Sequence, residues 1–177
     1  MCYAFINTGA PGGGNLYFSD MQRILFVCLG NICRSPLAEA VFKHKIEKKG
    51  LSNRFFVDSC GTANYHIGSQ PDPRTIKNAI KNGVAMDHCC RQLCVDDFST
   101  FDKILVMDSS NLQNTLRLAP PDKRYKVQLL RTYDPLGKGE AVPDPYYGDE
   151  KDFQQVFDIL DRTIEELLNQ EASQKRS

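Results

Sequence analysis

Between Val27 and Pro36 the chain reads Cys28-Leu29-Gly30-Asn31-Ile32-Cys33-Arg34-Ser35, so one short loop carries a thiol, a guanidinium and a hydroxyl. A strand end leading through such a loop into a helix makes an anion cradle: helix N-terminal amides have no partners in the helix, and residues that accept unusual dihedrals turn further amides inward. Gly30 and Asn31 are the residues expected to do so here. A tetrahedral dianion suits that cradle. Arg34, six residues after Cys28, can return a planar fork to two phosphate oxygens, which a lysine could not match in geometry. The same amides stabilise a thiolate at Cys28, placing a nucleophile under the phosphorus. Ser35 is expected to donate its hydroxyl to that sulfur, most usefully when Cys28 becomes the leaving group, while Asn31 holds the loop shape. Taken singly these residues are ordinary, because a cysteine ending a buried strand is usually an inert hydrophobe and Gly-Asn is usually a turn. Their combination between a strand and a helix asks for thiolate, cradle and fork at once.

Expelling a phenolate or alkoxide without a proton loses about 10²- to 10⁴-fold in rate, so this chemistry wants a general acid. Asp144 is the best-placed candidate. It lies in a late loop between Pro143 and Pro145, which restrict its backbone, and follows the last apolar strand pattern, so its loop reaches the sheet edge where Cys28 lies. Tyr146 and Tyr147 would form an aromatic wall, with Tyr65 and Ile32 as further contacts for a substrate ring.

The elements that must position these residues follow from periodicity. Ile24 to Val27 is continuously apolar, as in a strand buried on both faces of a parallel sheet. Ser35 as cap, Pro36 in the first turn, a stripe of Leu37, Ala40, Val41 and Ile46, and a basic end before Gly50 predict a helix over 36–49. Further strands are expected at 55–57, 103–107 and 127–130, and further helices from Asp72-Pro73 to near Gly83, over 111–118 and over 152–169, with 131–149 as loop. Strands alternating with helices give an α/β fold, a small doubly wound four-stranded parallel sheet of order 2-1-3-4 with helices on both faces. Its switch point lies between the first and third strands, so the ligand crevice opens where the Cys28 loop begins.

The chain has 177 residues, 41% of them hydrophobic, enough for one domain with a single core. Lys plus Arg equal Asp plus Glu at 22 each, so no bulk field exists to hold nucleic acid or an anionic membrane, and any anion site must be local. No apolar run approaches the roughly 20 residues that cross a bilayer. Seven cysteines, an odd number, read as free thiols in a reducing cytoplasm. Residues 1–20, with a Gly-Ala-Pro-Gly-Gly-Gly run and Asn15-Leu16-Tyr17-Phe18, read as an expression tag or a flexible extension before a domain over 21–170 and a polar tail over 171–177.

The stretch Cys28 to Pro36, together with Asp144-Pro145-Tyr146-Tyr147-Gly148, closely resembles the low molecular weight protein tyrosine phosphatases over about residues 23–168. The resemblance implies the same doubly wound fold, a phosphocysteine intermediate, the late-loop aspartate as general acid, and neither metal nor cofactor. It implies phosphotyrosine proteins or small phosphomonoesters as substrates and inorganic phosphate as product, with the enzyme a monomer or weak dimer. His88 matches a family position that supports the loop, and Ser59 is expected to join it; Asp108, ending the third strand, is expected to be a nearby structural partner.

His88-Cys89-Cys90-Arg91-Gln92-Leu93-Cys94 departs from the family, which more often has small or polar residues there. These ligands are too compressed for ordinary zinc spacing, so incidental thiols are the expectation. Rival readings are a thioredoxin-coupled arsenate reductase of the same fold, a protein arginine phosphatase, in which position 32 is typically threonine, and a non-hydrolytic phosphocysteine carrier. The aromatic pair after Asp144, Ile32, and the presence of an acid argue against each in turn. Cys33, five residues after Cys28, is the expected resolving partner in a redox switch of Cys28.

Overall fold

The computed structural model describes residues 21–174, so the tag or extension reading of 1–20 and the last residues of the tail, 175–177, lie outside it. Side chains of the first strand, β1 (Gln22–Cys28), alternate between two apolar layers. Ile24, Phe26 and Cys28 enter one core cluster and Leu25 and Val27 the other. That alternation, apolar on both faces, is why β1 sits inside the sheet with β2 (Phe55–Gly61) on one side and β3 (Lys103–Val106) on the other. β4 (Val127–Leu129) pairs with β3, every pairing is parallel, and the order is β2-β1-β3-β4, as expected.

Helices α1 (Arg34–Lys48), α2 (Pro73–Lys81) and α5 (Glu150–Gln174) supply the first core, which includes Phe42, Ala79, Leu160 and Ile164. A short helix, α3 (Asp97–Thr100), and α4 (Ser109–Leu118) flank the second, where Phe98 and Phe101 are buried. The registers Cys28 with Gly61 and Val27 with Val106 align the C-terminal ends of three strands, so the loops that follow them share one edge.

Several boundaries differ from the sequence pattern. β2 runs on to Gly61, and α4 begins at Ser109 because Asp108 caps it, its Oδ1 accepting from the Asn111 amide at 2.7 Å. The α3 turn and the 3₁₀ turns at Pro121–Lys126 and Leu130–Tyr133 are too short to show a period. The largest difference is α5, which runs on to Gln174, into the segment read as tail. Glu171 is buried and bonded to Gln22 and Lys103, and that pairing carries the helix past its last apolar residues.

Candidate active site

The loop from Cys28 to Arg34 lies against the end of β2, where the Thr62 amide donates to Cys28 O and the Ala63 amide to Leu29 O, each at 2.9 Å. This approach depends on Gly61: a Cβ there would stand 2.7 Å from Leu29 O. Among the described residues Asn31 is the one non-glycine with a left-handed backbone, at φ 57°. Gly30 does not share that conformation, contrary to the expectation of two such residues. Its value is room, since a Cβ there would meet the His66 ring at 3.2 Å. The Asn31 amide donates to Cys28 Sγ at 3.2 Å, so the unusual dihedral aims an N–H at the sulfur.

Ser35 does not cap α1. Helix α1 starts at Arg34 with Cys33 in the cap position and no side-chain cap hydrogen bond. The Ser35 hydroxyl, fully buried, instead lies 3.0 Å from Cys28 Sγ and 3.2 Å from Cys60 O, and accepts from Asn31 Nδ2 at 2.9 Å. With no side chain spent on the first-turn amides, the helix N-terminus is left to the loop.

Behind the loop stands a buried chain of polar groups. Asn31 Nδ2 donates to Ser59 Oγ at 3.0 Å, Ser59 Oγ donates to Glu39 Oε2 at 2.7 Å, and His88 bridges the two ends, Nδ1 lying 3.0 Å from Glu39 Oε2 and Nε2 2.8 Å from Asn31 Oδ1. Burial disfavours the charge on Glu39, but the contacts of His88 and Lys43 outweigh it and hold the carboxyl below its ordinary range. Asn31 also accepts from the Arg91 amide at 2.9 Å and, at its carbonyl, from the Cys90 thiol at 2.8 Å. A side chain satisfied on every polar atom has one orientation.

Arg34 closes the other side. Nη1 donates to Asp108 Oδ2 at 2.6 Å and to Val142 O at 3.2 Å, and Nη2 to Asp144 Oδ2 at 2.8 Å. Burial works against its charge, and Cys28, Asp108 and Asp144 overcome that, so the guanidinium is held charged more firmly than an ordinary arginine. Asp108, read from the sequence as a nearby structural partner, bonds the fork directly.

The cavity above Cys28 is about 310 Å³ and brings together the residues proposed from the sequence. Leu29, Gly30, Ile32, Cys33 and Arg34 line it from the loop, Asp144, Tyr146 and Tyr147 from the segment before α5, and Tyr65 from the segment after β2. Asn31, Ser35, Ser59 and His88 lie beneath it, and Tyr65 and Tyr147 are rim residues, 73% and 98% exposed. Sequence reasoning missed His66, which shares the lining, as well as Glu39, Cys90 and Gly61. The compressed cysteine run does not converge: among the described residues the group of metal-ligating side chains within 4.8 Å is Glu39, Asp58 and His88, each already hydrogen-bonded.

The arrangement holds a sulfur, a fork and a carboxylate around one cavity, which is what transfer of a phosphoryl group to and from a thiol requires. A family model described as low molecular weight phosphotyrosine protein phosphatase matches residues 23–177. The chain is 52% identical over 136 residues to the Schizosaccharomyces pombe protein of that name, covering 76% of this chain and 87% of the relative. With the Homo sapiens protein of that name it shares 46% over 138 residues, 77% of this chain and 87% of the relative. The crystal structure of a protein tyrosine phosphatase from Entamoeba histolytica superimposes with a TM-score of 0.84 at 40% identity, covering 87% of this chain and 99% of that one. By sequence and fold alike, the chain belongs to the low molecular weight phosphotyrosine protein phosphatases, a family of hydrolases acting on phosphomonoesters.

Proposed function

We propose that this chain hydrolyses phosphotyrosine in proteins, and small aryl phosphomonoesters, through a phosphocysteine intermediate on Cys28. The observation that carries the reading is the placement of Cys28 Sγ at the floor of a cavity it shares with Arg34 and Asp144, with Ser35 Oγ and the Asn31 amide in contact with the sulfur. The substrate ring enters between Ile32 and Tyr146, and its phosphate takes the Arg34 fork from the carboxylates that hold it. Cys28 attacks phosphorus, the S–P bond forms as the P–O bond to the ring breaks, and protonated Asp144 gives its proton to the departing oxygen. Asp144, now ionised, takes a proton from water as the water oxygen bonds to phosphorus; the S–P bond breaks, and inorganic phosphate leaves. Ser35 donates to the sulfur as it regains its negative charge.

Turnover of phosphotyrosine, phosphoserine and phosphoarginine peptides side by side tests the leaving group. Dominant release from phosphotyrosine is expected. Dominant release from phosphoarginine, or a single stoichiometric transfer without turnover, would replace this reading with an arginine phosphatase or a carrier.

Two finer points belong to the same proposal. Cys28, Cys33, Cys60, Cys89 and Cys90 are free thiols, which supports a reducing compartment such as the cytosol, and no described helix is long and apolar enough to cross a membrane. Cys28 and Cys33 form a redox pair: peroxide converts the Cys28 thiolate to a sulfenic acid, and the Cys33 thiol condenses with it to a disulfide, releasing water. Burial pushes the Cys33 thiol up to about 12, so Cys33 does not compete for the peroxide. Cys33→Ser should keep its starting activity within about twofold, yet recover poorly with dithiothreitol after peroxide; recovery equal to the parent's would remove the pair.

A further inference from the structure

Arg74 sits at the second position of α2, where a cation opposes the helix dipole and local preference disfavours it. A residue that breaks a local rule has its reason elsewhere. Its guanidinium grips Asp72 with both prongs, Nε to Oδ1 at 3.0 Å and Nη2 to Oδ2 at 2.7 Å. Asp72 is itself fixed twice, accepting the Arg74 amide as the cap of α2 and donating its own amide to Ile32 O at 2.8 Å. The same guanidinium lies over two rings, 4.8 Å from the centroid of Phe153, which is buried on α5, and 5.5 Å from that of Tyr146.

Ile32 and Tyr146 both line the cavity over Cys28, and they come from segments more than a hundred residues apart. The path from one to the other runs Ile32 O, Asp72, Arg74, Tyr146. Arg74 does not itself line the cavity, and the Tyr146 ring, 40% exposed, has its centroid 5.0 Å from that of Tyr147.

Building on the phosphatase reading above, we propose that Arg74 is a specificity-positioning residue: it sets the spacing between Ile32 and the Tyr146 ring and thereby selects aryl over alkyl phosphates. The phosphate itself is held by the Cys28 loop and Arg34, with no part for Arg74, so the selectivity resides in the slot and not in the anion site. Asp72 is the anchor of the device, and the rings of Phe153 and Tyr146 are what it holds.

The test compares binding of phenylphosphonate and methylphosphonate, by calorimetry, with steady-state kinetics on phosphotyrosine and on glycerol phosphate. Arg74→Met keeps the stem and removes the fork and charge. It should weaken phenylphosphonate and raise KM for phosphotyrosine about three- to tenfold, with kcat within about twofold and with methylphosphonate affinity and glycerol phosphate KM unchanged. Arg74→Lys, which keeps the cation but not the two-pronged grip, should recover part of the loss. Asp72→Asn keeps the cap and removes the anchor's charge, and should give the same aryl-selective shift even where Arg74→Met fails to fold. Aryl affinity equal to the parent's in these variants, or an equal loss for aryl ligand, alkyl ligand and inorganic phosphate, overturns the proposal. Failure of the parent to turn over either ester would strike the phosphatase reading instead, and the ratio of the two phosphonate affinities would still decide the role of Arg74.

Discussion

Two arginine–carboxylate clusters in this molecule are built in opposite ways. At the cavity one arginine, Arg34, is shared between two carboxylates, Asp108 and Asp144, and Asp144 is 46% exposed. Below β4 one carboxylate, Asp134, takes two arginines: Arg131 Nε reaches Oδ2 at 2.7 Å, and Arg162 reaches Oδ1 and Oδ2 at 2.9 Å each, with the Asp134 side chain wholly buried. In the second cluster the anion is saturated and has nowhere to go. In the first, negative charge is in excess over the fork, and one of its carboxylates can move into solvent. Exchangeable partners suit a group that must accept a phosphate and release it; saturated partners suit a joint that must stay closed.

The comparison breaks most completely at the sulfur. Cys28→Ser should lower turnover roughly 10⁴-fold or more while leaving vanadate binding measurable, because an alkoxide is not available at neutral pH and the cradle remains. Retention of substantial phosphotyrosine hydrolysis would remove Cys28 as nucleophile. Next comes the shared arginine. Arg34→Lys should lose about 10²- to 10³-fold in kcat/KM, since one point charge cannot serve two oxygens as a fork does; near-parent kinetics would show that the fork is not exchanged at all.

Asp144→Ala sharpens the contrast further. It should cost about 10²-fold in kcat on phosphotyrosine but clearly less on p-nitrophenyl phosphate, whose leaving group needs the proton less. Equal losses on both esters would take Asp144 out of the acid role.

For the saturated cluster the expected effect is on stability alone. Burial by itself would raise the Asp134 carboxyl, but Arg162, the Leu136 amide and Arg131 outweigh it and bring it from 3.8 to about 2. A carboxyl depressed in the folded state stabilises fully above its unfolded value, and that contribution fades as pH falls from 3.8 toward about 2. Asp134→Asn should therefore cost about 3 kcal/mol near neutrality, with kcat per folded molecule unchanged. Its deficit against the parent, read from urea midpoints, should shrink as pH drops through that window. A deficit that is constant with pH would mean that the charge of Asp134 contributes nothing.

Legibility in the sequence followed the range of the interactions involved. β1 and α1 were plain because a continuous apolar run, Pro36 and a basic end are local signals, and Asp144 stood out between two prolines. Ser35 was misplaced as a cap because its partner, Cys28 Sγ, outcompetes the helix amides only once the loop has folded back. Glu39 could not be read at all: on a helix it resembles a surface charge, and the Ser59 and His88 that bury it lie on other elements. Gly61 ends a strand like any other glycine until the loop is laid across it. The end of α5 was lost because Asn169-Gln170-Glu171 is polar, and the burial of Glu171 rests on Lys103, 68 residues earlier.

That last contact has a consequence for the topology of the chain. Because Glu171 near the end of α5 bonds Gln22 at the start of β1, the first and last described elements meet at the edge of the sheet opposite the cavity. A short flexible linker joining those two ends, with new termini opened in the exposed turn over 49–53, would give a circularly permuted protein in which Glu171 and Gln22 are neighbours along the chain instead of across it. The catalytic loop and the acid-bearing segment would each remain uncut, so permutation separates the connectivity of this fold from its chemistry.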